Sequence, residues 1–225
     1  MKAPPVVLVH GFASSPAHNW GATGWLDLLA EDGRTAVPLT LPGHAPGAPT
    51  DPAAYADVPG QVAAHIAGLV DAIGFSAGAE VLLAVAAASP HRFRRLALLG
   101  AGPSMVEAAG DGSAVAAALL APDEPDDAVA RPLRRMAAAL GHDPAALAAF
   151  IRRPRRPLGF AALARIACPV LVVIGDRDFV GPADPLVAAL PDARLVVLPG
   201  LDHYGTTADP RAVEAVLRFL GGGDA

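Results

Sequence analysis

Short apolar runs rich in β-branched residues recur along this chain at residues 6–9, 35–39, 69–75, 96–99, 170–174 and 195–198. Longer alanine-rich stretches with helical patterning alternate with them, at 25–31, 59–67, 79–88, 185–189 and 210–220. Strands that are apolar on both sides, alternating with helices, predict an α/β fold: a mostly parallel sheet covered by helices on both faces. Asp209-Pro210 reads as an N-cap followed by a first-turn proline, and Gly221-Gly222-Gly223 as the end of the last helix. The alternation breaks between Gly102 and Ala164, where three helical stretches (113–120, 127–140 and 144–152) occur without a strand-like run. The pattern therefore divides the chain into a core, 1–102 and 164–225, and a helical cap or lid, 103–163, inserted after a strand's carboxyl end. Open α/β sheets bind their ligands at that end.

Composition changes this picture little. The 225 residues are 53% hydrophobic but only 5% aromatic, so alanine, valine and leucine must fill the core. A net charge of −5 offers no general attraction to nucleic acid or to an anionic membrane, and neither is expected as a partner. No apolar run approaches the roughly 20 residues that span a bilayer. Residues 1–5 lead directly into the first strand run without a leader-like apolar region, and the single Cys168 has no internal disulfide partner. Both features predict a cytoplasmic protein of a reducing compartment.

The chemistry concentrates at strand ends. Gly74-Phe75-Ser76-Ala77-Gly78 stands between a strand run and a helical stretch, the context in which G-x-S-x-G exposes a serine hydroxyl on a strained turn. Three other segments follow strand runs: His10-Gly11-Phe12, Gly175-Asp176-Arg177-Asp178 and Gly200-Leu201-Asp202-His203. A serine hydroxyl needs a base to take its proton, histidine suits that role near neutral pH, and an acid orients the imidazole. The backbone N–H after the serine, that of Ala77, lies at a helix N-terminus and is suited to receive a developing oxyanion. Asp176 and Asp178 both follow the strand, two residues apart and on one side of an extended segment, so periodicity does not choose between them.

With Val7-Leu8-Val9-His10-Gly11-Phe12, Leu41-Pro42-Gly43-His44, the elbow, 169–178 and 200–203 in this order, the chain resembles the α/β-hydrolase superfamily over nearly its whole length. The resemblance implies a triad of Ser76, Asp178 and His203, prefers Asp178 to Asp176, and adds Phe12 N–H as the second oxyanion donor. It makes His10 and His44 organisers of loops rather than catalysts. It implies hydrolysis of a small ester, thioester or related acyl substrate, with no cofactor or metal. Related scaffolds serve cofactor-free haloperoxidases or perhydrolases, which often carry a phenylalanine where Phe75 stands, as well as C–C bond hydrolases and non-catalytic ligand-binding proteins. Thr40 departs from the aspartate that many relatives have before Leu-Pro-Gly-His.

His18, His65, His91 and His142 look scattered, and Asp202 reads as a turn residue. Within the insertion, Arg131, Arg134, Arg135 and the run 152–156 read as solvated helix ends, or else as a grip on a substrate carboxylate. Leu119, Leu120, Met136, Leu140 and Phe150 read as lid core or as an acyl pocket.

Overall fold

The computed structural model describes residues 3–107, 110 and 112–222. Six strands, β1 (Val6–Val9), β2 (Ala36–Leu39), β3 (Val70–Phe75), β4 (Phe93–Leu99), β5 (Val170–Gly175) and β6 (Ala193–Leu198), form one sheet in the order β2-β1-β3-β4-β5-β6. Every pairing is parallel. The side-chain alternation of the strands sorts the core into two layers. Val7, Val9, Ala72, Leu96, Leu98, Val170 and Val172 join the core cluster that includes helix α2 (Val58–Ala63) and helix α3 (Ala77–Ala88). Val6, Leu8, Ile73, Ala97, Leu99, Leu171 and Val173 join Trp20 and residues of α1 (Trp25–Glu31) and α9 (Pro210–Gly221). Each valine, leucine or isoleucine taken from water contributes about 1.5–3 kcal/mol, which is why both sides of these strands are apolar.

The chain leaves β1 toward β2 and then returns to the other side of β1 with β3. The reversal opens a crevice outside the carboxyl ends of β1 and β3, the switch point of an open sheet. Ser76 ends β3 at that crevice, and the loop 10–14 follows β1.

Several element ends differ from the sequence reading for identifiable reasons. β4 begins at Phe93 rather than 96, because Arg94 and Arg95 lie within the strand. The Arg94 guanidinium donates from Nε to the fully buried Asp71 at 2.9 Å, and Arg34 donates to the same carboxylate. A buried charge is tolerated when it is paired in this way. α2 stops at Ala63, short of the expected 67, as His65 and Ile66 bond back three residues to Val62 and Ala63. Asp127 is not the start of a helix; its carboxylate caps α5 (Ala130–Ala139) by accepting from the N–H groups of Val129 and Ala130. α9 starts on the Asp209 cap, and Gly222 follows it with φ 94°, while Gly223 lies outside the described residues.

Between β4 and β5 run α4 (Ser113–Leu120), α5, α6 (Pro144–Ile151) and α7 (Phe160–Leu163). The buried Leu163 belongs to the same core cluster as α3, so the return from the insertion is packed onto the helix that follows Ser76. α8 (Asp184–Ala188) connects β5 to β6. No helix among the described residues is long and apolar enough to cross a membrane. Cys168 is buried, and burial pushes its thiol up to about 11, far from a reactive thiolate.

Candidate active site

Ser76 sits between β3 and α3 with φ 53° and ψ −117°, a conformation that L-residues rarely adopt. The flanking glycines are required by close approach. A Cβ on Gly78 would lie 2.1 Å from the carbonyl oxygen of Val9, and one on Gly74 would lie 2.8 Å from the backbone of Gly78 and Ala79. The amino end of α3 is thereby pressed against the end of β1. Gly11, in the β1 loop, approaches so near that an added Cβ would lie 3.4 Å from the Cβ of Ser76.

His203 joins the serine to the acid. Its Nε2 lies 2.9 Å from Ser76 Oγ, and its Nδ1 lies 2.9 Å from each carboxylate oxygen of Asp178. An ionised carboxylate only accepts, so Nδ1 carries a proton and Nε2 presents its lone pair to the serine hydroxyl. The Asp178 side chain is fully buried and is also held by the N–H of Val180 at 3.0 Å. Asp176 goes elsewhere: it accepts from Gly200 N–H at 2.7 Å and ties the β5 loop to the β6 loop. The geometry separates the two acids that periodicity left equivalent. Asp202 is a turn residue that accepts from Gly205 N–H.

Aromatic rings enclose the imidazole. Phe75 and Phe179 lie with ring centroids 5.0 and 4.5 Å from it, and Tyr204 meets it edge-on at 5.7 Å. Gly100, the residue after β4, makes room, since a Cβ there would lie 3.0 Å from the His203 ring. Tyr204 donates its hydroxyl to Val129 O, at the start of α5, and burial pushes the phenol up to about 12.

The loop after β1 is held from a distance. Gly11 N–H donates to Asn19 Oδ1 at 3.0 Å, and Ala13 N–H donates to His44 Nε2 at 3.0 Å. The N–H between them, that of Phe12, has no acceptor among the described residues, and neither has that of Ala77. Ala13 adopts φ 57°, so the only non-glycine residues with positive φ among those described are Ala13 and Ser76. His10 accepts from Leu41 N–H at its Nε2 and places its Nδ1 2.8 Å from Gly11 O. His44 has the same arrangement, with Nδ1 3.0 Å from Pro42 O. Because Nε2 must accept in each, both rings are neutral Nδ1–H tautomers. Burial lowers His10 to about 4 and His44 to about 3, which keeps them neutral. With both nitrogens of each ring engaged, neither offers a lone pair to a metal.

Sequence reasoning missed several residues here. Asn19 lies on a π-helical turn, Ala17–Gly21, whose presence periodicity does not signal. His142 is not isolated: its ring meets His44 edge-on at 5.6 Å, and its Nε2 lies 2.9 Å from Ser14 O. The arginines of the insertion divide. Arg131 and Arg135 pair with Asp126 and Glu124, and Arg134 donates to the carbonyls of Pro122 and Asp123, so the acidic and basic parts of the insertion satisfy each other. Arg153 is no solvated helix end: it is buried and paired with Glu80 at 3.0 Å. Phe150 and Leu119 belong to the packed core, whereas Leu120 is exposed.

Structures that this chain resembles include a hydrolase from Pseudomonas aeruginosa (24% identical, TM-score 0.73, covering 98% of this chain and 91% of that one). A bromoperoxidase from Bacillus anthracis (18%, TM-score 0.76, 97% and 92%) has the same fold. So has the 2-hydroxy-6-oxo-6-phenylhexa-2,4-dienoate hydrolase of a Rhodococcus (20%, TM-score 0.73, 98% and 91%). A curated relative, the pyrrolizixenacetamide deacetylase of Xenorhabdus hominickii, is 34% identical over 108 residues, a match that spans 44% of this chain and only 38% of that protein. The model of the alpha/beta hydrolase family matches residues 6–216, from β1 into α9, and takes in the elbow, the loops that carry Asp178 and His203, and the insertion. By that match the chain belongs to the alpha/beta hydrolase family.

Proposed function

We propose that this protein is a serine hydrolase that cleaves a small ester, thioester or related acyl substrate through an acyl-enzyme. The observation that carries the reading is His203, which stands within 2.9 Å of Ser76 on one side and of Asp178 on the other. Ser76 Oγ attacks the carbonyl carbon while His203 Nε2 takes its proton. Asp178 holds the imidazole in the required tautomer and stabilises the imidazolium that forms. The oxyanion is received by Phe12 N–H and Ala77 N–H, each worth about 3 kcal/mol of transition-state stabilisation. His203 then protonates the leaving group; water, deprotonated by the same nitrogen, attacks the acyl carbon, and the proton passes to Ser76 Oγ as the acid leaves. Besides the substrate and water, these steps use only groups of the chain.

The named deacetylase activity of the partial relative accords with a small acyl group. The bromoperoxidase and the dienoate hydrolase among the structural neighbours make peroxide and dienoate substrates worth including in a screen.

A fluorophosphonate probe tests the reading. Wild-type protein should be labelled and Ser76→Ala should not, and p-nitrophenyl ester turnover should follow the same pattern. Asp178→Asn should lower kcat on the order of 10⁴-fold, whereas Asp176→Asn should change it by less than about tenfold. A folded wild type that takes no label would overturn the assignment in favour of a ligand-binding protein.

A further inference from the structure

One stretch of the insertion, residues 142–153, reaches both halves of the candidate oxyanion hole. On the β1 side the His142 ring lies against His44, and its Nε2–H donates to Ser14 O. Phe150, fully buried, stacks on Phe12 with centroids 5.9 Å apart and planes at 15°. The same ring meets His44 at 5.1 Å, and a Cβ on Gly43 would come within 2.9 Å of Phe150. On the α3 side the Arg153 guanidinium lies over the Phe150 ring, 4.2 Å from its centroid, and donates to Glu80 at 3.0 Å. It also donates to Phe150 O at 3.0 Å. Glu80 stands one turn beyond Ser76, and its N–H bonds Ser76 O at 3.0 Å. A continuous chain of contacts, Phe12–Phe150–Arg153–Glu80, therefore runs from one donor residue to the helix that presents the other.

We infer that residues 142–153 act as a clamp that sets the spacing between Phe12 N–H and Ala77 N–H, with Phe150 and Arg153 as positioning residues. The inference rests on the serine-hydrolase reading. The partners of Phe150 and Arg153 are Phe12 in the β1 loop, His44, Tyr55 and Glu80, and both residues act through those partners. The physical warrant lies in how an oxyanion hole works: its donors stabilise the transition state only when they stand 2.7–3.1 Å from the oxygen, and that geometry must be fixed before reaction. Asn19 and His44 pin the peptides on either side of Phe12, but both belong to the β1–β2 side of the crevice. The insertion joins that side to α3. The Arg153 side chain is only 4% exposed, so its charge demands a partner, and Glu80 holds it in place.

The test compares Phe150→Leu, Arg153→Met and the double variant Glu80→Gln/Arg153→Met on p-nitrophenyl acetate, a substrate too short to reach far into the insertion. Each variant should lower kcat on the order of 10–100-fold, less than the full loss of an oxyanion donor, with KM changed less than about threefold. Fluorophosphonate labelling should slow in parallel. The double variant is the control for folding: Arg153→Met leaves Glu80 with only its longer pair to Arg155 at 3.8 Å, and removing that carboxylate's charge as well should restore the unfolding midpoint lost in the single variant. If kcat returns with stability, or if all three variants turn over like wild type, the clamp is overturned. A wild type without Ser76-dependent activity overturns the hydrolase reading together with the clamp, and Ser76→Ala, run alongside, tells the two results apart.

Discussion

The turns after β1 and β3 meet at one crevice and share one peculiarity, yet they are built in opposite ways. Each contains a non-glycine residue with positive φ, Ala13 in the first and Ser76 in the second. The β3 turn is enforced from within its own sequence. Gly74 and Gly78 allow backbone to pack on backbone, and α3 begins at once behind Ser76. The β1 turn is enforced from outside: Asn19, His44 and His142 supply side-chain partners to its backbone. Strain can thus be held either by leaving no space for relaxation or by satisfying the backbone only in the strained form. The first device is rigid and intolerant of added atoms. The second depends on His44 remaining neutral, so that its Nε2 can accept from Ala13 N–H.

Gly78→Ala should break the first device most severely. Alanine improves helix propensity by about 1 kcal/mol, but the new methyl would lie 2.1 Å from Val9 O, against backbone that cannot step aside. A loss of several kcal/mol is expected, read as a large fall in the urea midpoint or as a failure to recover folded protein.

Acid should break the second device and spare the first. His10 and His44 titrate at about 4 and about 3 in the folded protein, against 6.5 in the unfolded chain. The unfolded chain therefore binds protons that the folded chain refuses. The stability contributed is complete above pH 6.5 and falls as pH drops toward the folded values, by roughly 1.4 kcal/mol per pH unit for each ring. His44→Gln keeps an acceptor for Ala13 N–H without the titration. Urea midpoints at several pH values should show a shallower slope in that variant, and an unchanged slope would refute the assignment.

Asn19→Ala leaves Gly11 N–H buried without an acceptor, a cost of about 1–3 kcal/mol. Its kcat should fall on the order of tenfold or more as the neighbouring Phe12 N–H loses its aim. Ala13→Gly is the mildest change. Glycine accepts φ 57° without a Cβ penalty of about 1–2 kcal/mol, but the unfolded chain gains about as much freedom. Thermal unfolding should shift by less than about 1 kcal/mol in either direction.

Two carboxylates show how far the residue pattern carries and where it stops. Asp71 and Asp178 both have fully buried side chains. Asp71 interrupts an apolar strand, and its partners Arg34 and Arg94 lie in segments that pattern alone assigned to a loop and left outside β4. Asp178 stands beside a chemically similar Asp176: periodicity leaves the two equivalent, the family resemblance prefers Asp178, and the approach of the β6 loop puts Asp178 against the histidine. In the insertion, α4, α5 and α6 were legible with approximate bounds but the short α7 was not, and Arg153 resembles its exposed neighbours in sequence and differs from them only in burial.

From its sequence alone this protein determined the alternation of strands and helices, the strained turn at Ser76, and the order of serine, acid and histidine at strand ends. Those features depend on adjacent residues, whose side-chain alternation, missing Cβ atoms and caps act over a few positions. Tertiary structure decided that Asp178 rather than Asp176 lies against His203, a choice the residue pattern left open, which loop N–H groups remain unpaired among the described residues, and that the insertion contacts the β1 loop. Each of those depends on partners far apart in the chain, such as Ala13 and His44 at a separation of 31 or Ser14 and His142 at 128. A buried hydrogen-bonding group takes whichever partner packing brings to it, and local pattern carries no record of that meeting.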